Sequence, residues 1–263
     1  MDFSLVVPCY NDVPRLQSAV DALCERLNAV GLSWEFVFVE DHSRDDTAVA
    51  LRQCVVSLEA QGVAATAIFH ERNHGHGGAI SSGIRAARGE LVGYVELDLS
   101  LAHGLAPLIQ RVRRGDAAFA VGRRVFTNPA ATPIRFMSHR VYRHYAAACL
   151  RLPVADPECP LKVFRRSAVL PLVDVVEDQH CFWDTELLHR GWMSGVTIVE
   201  EPVTFAANCR AKGGGTIQAC RAYRRAMVRY RRRAAVGERG ERVSSATANE
   251  QASDVTAGSG GKA

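Results

Sequence analysis

The chain has 263 residues, a net charge of +4, 48% apolar and 23% charged residues, which is the make-up of an ordinary globular protein with room for one substantial core. No apolar run approaches the roughly 20 residues of a membrane span, and the short run at residues 4–8 has no basic leader of the kind that opens a signal peptide. The eight cysteines form no C-x-x-C pair, which argues against a zinc knuckle and fits a reducing compartment.

In chain order, residues 3–7 read as a strand, and 14–30 as a helix with Pro14 in its first turn and Gly31 just past its end. A strand over 35–39 and a helix over 43–60 follow, with Ser43 as the expected N-cap. The cycle repeats as strand 65–69, helix 77–88 and strand 90–95. This alternation predicts an α/β fold with a mostly parallel sheet and helices on both faces. The second half is less regular. Helices are expected near 105–114, 134–150 and 183–190, and strands at 117–121, 162–164 and 196–199. Residues 217–233 predict a basic amphipathic helix, and the Ser-, Ala- and Gly-rich residues 234–263 a disordered tail. Nine basic residues and no acid lie between Pro202 and Gly237, a block suited to an anionic partner or to solvent. No recognised nucleic-acid motif accompanies it, so nucleic acid is not expected.

The strand over 90–95 runs into Glu96 and Asp98, two apart in Y-V-E-L-D-L-S. In an extended chain both carboxylates project to one side. A divalent cation with a diphosphate needs one or two such oxygen donors, and ligands of open α/β sheets sit where strands end. Solvated acids at a strand end are the plainer reading. Two further loops, P-C-Y-N-D and E-D-H-S-R-D-D-T, should meet the same edge, with the glycine-rich R-N-H-G-H-G-G-A opening a helix there.

Together these segments resemble the family-2 inverting glycosyltransferases of the GT-A fold, most closely the dolichyl- and polyprenyl-phosphate sugar transferase group. The likeness runs from Phe3 to Thr216 and includes A-V-G-R-R, D-P-E-C-P-L-K-V-F-R-R and F-W-D-T-E-L-L. It implies a single GT-A domain over 1–216, Rossmann-like, followed by the basic helix and the tail. It also implies a nucleotide-sugar donor gripped by Pro8, Tyr10, Asn11, Glu40, Asp41, Gly75, Gly77 and Glu96. Glu96 and Asp98 fall on the metal-binding acid pair, for Mg2+ or Mn2+, with Ser100 where such enzymes often carry Gln. Arg123, Arg124, Lys162 and Lys212 become candidates for holding an acceptor phosphate. Asp98 is implied as catalytic through the cation, and Asp184 or Glu186 as a general base for a neutral acceptor. On a helix these last two point about 160–200° apart, so one of them is expected at the site. Trp183 reads as a packing residue.

The chain departs from the pattern at Glu96, where Asp is usual, and at Pro160, where Gly is common. The implied acceptor is a polyprenyl phosphate at the inner face of the cytoplasmic membrane, reached from the cytoplasm as a peripheral protein. A soluble small-molecule acceptor is the alternative, and a non-catalytic module that binds anionic membrane or nucleic acid through its arginines is a third reading. A nucleotidyltransferase shares the sheet and metal logic. No interface pattern indicates an oligomeric state.

Overall fold

Seven apolar runs become the strands of one sheet: β1 (Phe3–Cys9), β2 (Trp34–Glu40), β3 (Ala64–Phe69), β4 (Leu91–Val95), β5 (Phe119–Phe126), β6 (Leu161–Arg165) and β7 (Ile198–Phe205). The computed structural model describes residues 1–98, 101–127, 133–180, 182–205 and 221–233. The strand order is β3-β2-β1-β4-β6-β5-β7. Every neighbouring pair is parallel except those of β6, which runs against both β4 and β5. That reversal has a consequence for the site. The start of β6 lies at the edge where β1, β2 and β4 end, with Leu161 opposite Val95 and Lys162 opposite Tyr94.

Alternation along β1 distributes its side chains between two helical layers. Phe3, Leu5, Val7 and Cys9 join a core with Leu16, Ala19, Val20, Leu23 and Leu27 of α1 (Leu16–Asn28). Leu51, Cys54 and Leu58 of α2 (Thr47–Ala60) and Leu105, Leu108, Ile109 and Val112 of α4 (Leu105–Arg113) complete it. On the opposite face, α3 (His76–Ala86) lies so close that a Cβ at Gly83 would strike Val6. Covering both faces explains why the strands are almost continuously apolar. The remaining helices are α5 (Pro133–Leu150), α6 (Arg166–Val173) and α7 (Trp183–Met193).

The expected alternation is present, with two local differences. Helix α2 begins at Thr47, not at Ser43, because Ser43 Oγ instead accepts from the Asn11 N–H at 3.0 Å and Asp45 accepts from the Thr47 N–H at 3.1 Å. Helix α6 is an element that the sequence reading left out; Pro171 within it masked its helical pattern. The chain divides into two compact units, Met1–Ile217 and Gln218–Ala263. In the second, residues 221–233 form a helix, α8, that buries Ala226, Met227 and Tyr230 and exposes Arg224, Arg225 and Arg229. Residues 217–220 and 234–263 lie outside the described residues.

One buried carboxylate ties the first strands together. Glu35, 1% exposed, accepts from Ser4 Oγ at 2.6 Å, from the Arg88 N–H at 2.8 Å and from Arg88 Nε at 2.8 Å. Burial pushes this carboxyl up, but the bonds from Arg88 and Ser4 outweigh it and leave Glu35 below the ordinary value of 4.5. A carboxylate lowered in the fold adds stability above its unfolded pKa and loses it as pH falls through the folded one. Glu35→Gln is therefore expected to cost about 2 kcal/mol in urea unfolding at neutral pH. That gap should narrow as the pH drops below 4.5; a gap independent of pH would contradict the assignment.

Candidate active site

The acids after β4 are the natural starting point. Tyr94 is fully buried, and Glu96, two residues on, emerges partly exposed together with Asp98. Burial, first, and the neighbouring charges of Asp98 and Asp184 push the Glu96 carboxyl above its usual range. His76 and Arg124 pull the other way without cancelling them. Five charged or titratable side chains from four elements or their ends thus share one edge of the sheet. Among the described residues, no three His, Cys, Asp or Glu side chains form a cage that could hold a metal alone. Two carboxylates do fit a cation that completes its shell from a diphosphate and water. Ser100 lies outside the described residues.

The first two loops are stitched to each other. Asn11, at φ 53°, accepts from the Arg44 N–H at 2.8 Å through its Oδ1. The Asp12 N–H donates to Thr47 Oγ1 at 2.8 Å, and Glu40 Oε1 accepts from the Ser43 N–H at 2.7 Å. Pro8 is the one partly exposed residue of β1, and Tyr10, just past the buried Cys9, is 37% exposed. Asp41 has a different position from the one expected of a nucleotide contact. Its Oδ1 accepts from the His74 N–H at 2.8 Å and meets His70 Nδ1 at 2.8 Å, while Oδ2 accepts from the Gly75 N–H at 2.9 Å. Only 4% exposed, Asp41 shapes the wall of the cleft from within.

The glycine-rich loop also serves the protein itself. Gly75 has φ 84°, a left-handed conformation that favours glycine. A Cβ there would collide with His180, and one at Gly77 would collide with Trp183. The close approach that these glycines permit is made by Gln179, His180 and Trp183, and the Gly78 N–H donates to the Gln179 carbonyl at 3.0 Å. Trp183 is fully buried and donates to Ser81 Oγ at 2.8 Å, as a packing residue should.

Helix α7 then separates its two acids as its geometry requires. Asp184 turns to the sheet edge, where its Oδ1 accepts from Lys162 Nζ at 2.8 Å and from the Tyr94 hydroxyl. Its Oδ2 lies 3.9 Å from His76 Nε2. Glu186 faces elsewhere, accepting the N–H groups of Glu177 and Asp178 at 3.1 Å each and a bond from Arg190 at 2.8 Å. It fastens the segment before α7 and does not reach the cleft as a base.

Two of the cations expected at an acceptor phosphate are committed internally. Lys162, fully buried, places its three protons on Asp184, on the Cys159 carbonyl at 2.6 Å and on the Tyr94 oxygen at 2.9 Å. Arg124 forms a two-pronged pair with Asp156 at 2.8 and 2.7 Å. Burial alone would lower the Arg124 pKa, but the Asp156 charge and its hydrogen bonds raise it. Arg123, on the other side of the strand, is half-buried and has no ion pair among the described residues. It keeps the acceptor assignment best. Lys212 lies outside the described residues.

Three participants escaped the sequence reading. Tyr94 looked like strand filler, His76 was one letter in a glycine loop, and Asp156 was one letter in D-P-E-C-P-L-K. The last segment gives the signal in hindsight: Asp156 holds Arg124, Glu158 takes a bond from Tyr142 at 3.1 Å, and Cys159 receives Lys162.

Known proteins share this fold. The mannosyltransferase PcManGT from Pyrobaculum calidifontis, solved with GDP-Man and Mn2+, superposes with a TM-score of 0.57 at 19% identity, over 84% of this chain and 60% of that one. Glucosyl-3-phosphoglycerate synthase from Mycobacterium tuberculosis, solved with Mn2+, UDP and phosphoglyceric acid, gives 0.59 at 16% identity, over 86% and 76%. The fold is thus the GT-A type, a mostly parallel α/β sheet. The family model for Glycosyl transferase family 2 matches residues 4–171, and the chain belongs to that family. Glycosyltransferase AglD of Haloferax volcanii is 31% identical over 211 residues, 78% of this chain and 33% of that protein. An undecaprenyl-phosphate 4-deoxy-4-formamido-L-arabinose transferase of Pseudomonas paraeruginosa is 30% identical over 169 residues, 63% of this chain and 48% of that one. The chain spans about a third of the first relative's length and about half of the second's.

Proposed function

We propose that this chain transfers a sugar from a nucleoside-diphosphate sugar to an acceptor with inversion, using a divalent cation held by Glu96 and Asp98. The observation that carries the reading is the pairing of these acids at the end of β4, where Glu96 is pushed up by burial and by Asp98. A cation relieves that repulsion, and Mg2+ or Mn2+ would supply charge to balance the departing nucleoside diphosphate. The loops of Pro8 to Asn11 and around Glu40 line the place for the nucleotide. Asp41 fixes the 70–75 loop beside them through the His74 and Gly75 N–H groups.

A polyprenyl phosphate is the acceptor the surface fits best. Met137, Val141 and Tyr145 of α5 are 58%, 60% and 37% exposed at four-residue spacing, an apolar stripe with exposed Arg140 and His144 beside it. An apolar helix stripe edged with basic groups suits an anionic lipid surface, and Arg123 then holds the acceptor phosphate. The exposed arginines of α8 add a second basic face. A phosphate nucleophile is already ionised, so it needs no base, in keeping with an Asp184 that is engaged by Lys162. A relative whose name carries undecaprenyl phosphate points the same way. In this reading the chain works as a peripheral protein on the inner face of the cytoplasmic membrane; among the described residues no helix is long and apolar enough to cross it.

The second reading, a soluble acceptor, makes a different forecast. With the donor and Mn2+, undecaprenyl phosphate in detergent should stimulate nucleoside-diphosphate release and yield a glycolipid of inverted anomeric configuration. Release stimulated by soluble phosphate-bearing or hydroxyl acceptors, with no glycolipid formed, would overturn the lipid assignment.

A further inference from the structure

The cluster around Asp184 has an asymmetry that the reaction as proposed does not use. One carboxylate oxygen, Oδ1, is filled from inside the protein by Lys162 Nζ at 2.8 Å and by the Tyr94 hydroxyl. The other, Oδ2, accepts no hydrogen bond among the described residues and has only His76 Nε2 nearby, at 3.9 Å. The Asp184 side chain is 5% exposed, that of His76 30%. The more exposed of the two, His76, thus lies on the Oδ2 side of the carboxylate.

We propose that Lys162 and Tyr94 are positioning residues that fix Asp184 so that its Oδ2 accepts a hydrogen bond from a hydroxyl of the donor's glycosyl unit. This rests on the proposed nucleotide-sugar donor. Three features of the cluster support it.

The orientation of Asp184 is overdetermined. Lys162 and Tyr94 face each other across the antiparallel β4–β6 pair, so their side chains share one face of the sheet. Lys162 Nζ bonds Tyr94 at 2.9 Å as well as Asp184, and the Cys159 carbonyl takes the third proton at 2.6 Å. Both groups act behind the carboxylate, and neither has a proton left for a ligand. A side chain locked in this way pre-organises one remaining acceptor atom.

The chemistry of the ligand follows from charge. Oδ2 belongs to a carboxylate on the same edge as Glu96 and Asp98, two more acids. A phosphate oxygen brought against it would meet like charge, whereas a hydroxyl donates a proton into a free lone pair. In a nucleotide-sugar bound with its diphosphate at Glu96 and Asp98, the hydroxyl-bearing parts are the ribose and the glycosyl unit; the proposed donor site gives the ribose to the loops of Pro8 to Asn11 and Glu40, which leaves the glycosyl unit for Oδ2. A purely structural ion pair, finally, has no need of an unfilled oxygen, because buried carboxylates gain from filling both.

The test compares affinity for an intact nucleotide-sugar with affinity for its nucleoside diphosphate, both with Mn2+, by calorimetry on the full chain. Asp184→Asn should leave the nucleoside diphosphate bound as in the wild type and weaken the nucleotide-sugar about tenfold. Tyr94→Phe removes one bond to Oδ1 and should shift the same ratio in the same direction, by about threefold. Lys162→Met alone would strand a buried charge, so the charge-neutral double variant Lys162→Met with Asp184→Asn is measured too, and should match Asp184→Asn. Loss of stability with an unchanged ratio, in Asp184→Asn or in the double variant, would overturn the inference while leaving the donor site intact. A wild-type chain that binds no nucleoside diphosphate would overturn both.

Discussion

Replacing Asp98 with alanine is expected to lower turnover by roughly 10²–10³-fold, the scale of removing a principal electrostatic stabiliser from a transition state. Transfer from a nucleoside-diphosphate sugar adds a further negative charge to a diphosphate that is already anionic, and the site must balance it. Around Glu96, burial and the acids Asp98 and Asp184 raise its pKa, and His76 and Arg124 oppose them without cancelling the rise. Arg124 is not free to move onto the leaving group, since it is clasped by Asp156 at 2.7 Å. A divalent ion on Glu96 and Asp98 fills that need. The variant should also require far more Mn2+ for half-maximal rate, which separates loss of the ion from loss of the fold. Asp98→Ala with wild-type turnover would remove the cation from the account.

Asp156→Ala is expected to destabilise the protein by about 3–5 kcal/mol, the cost of stranding a buried charge. Asp156 is completely buried and accepts the Arg124 main-chain N–H at 2.9 Å in addition to the two guanidinium bonds. Its own N–H is taken by Glu200 Oε1 at 2.8 Å, so the 156–159 turn is fixed between β5 and β7. With the carboxylate gone, a guanidinium whose side chain is 11% exposed has neither partner nor water enough. Urea unfolding measures the loss directly. A change under about 1 kcal/mol, the value of an exposed pair, would mean that Arg124 finds another partner. The result bears on function as well, because the same strand carries Arg123.

Much of the architecture was legible because each element obeyed one local rule. The continuous apolar runs at β1, β2 and β4 could only be doubly covered strands, and the 3–4 spacing of Leu16, Val20, Leu23 and Leu27 could only be one face of a helix. Glu96 and Asp98 stand out in the sequence for a similar reason, because an apolar run ends in two acids two residues apart; the structure puts both just past the end of β4. The candidate residues that the structure engages internally share a different property. Arg124, Lys162, Asp41 and Glu186 are polar groups whose partners lie 32, 22, 33 and 9 residues away, so no local pattern reveals that their valences are already filled. A basic residue beside a strand reads as a phosphate ligand until the buried acid opposite is seen. The reversed β6 made this harder: it brings Lys162 against Tyr94, 68 residues apart, through a pairing that alternating strands and helices do not forecast. Gly75 and Gly77 were correctly singled out as close-approach positions, but the approaching groups are His180 and Trp183 of the same chain.

The central claim is a nucleoside-diphosphate site completed by a cation at Glu96 and Asp98, and the most direct measurement is thermal unfolding with UDP, GDP, CDP and TDP, each in Mn2+ and in EDTA. A ligand that binds only the native state raises the melting temperature by mass action. One nucleotide should raise it in Mn2+, lose that effect in EDTA, and lose it equally in Asp98→Ala. No shift with any nucleotide, or a shift that EDTA and Asp98→Ala leave untouched, would contradict the site as described.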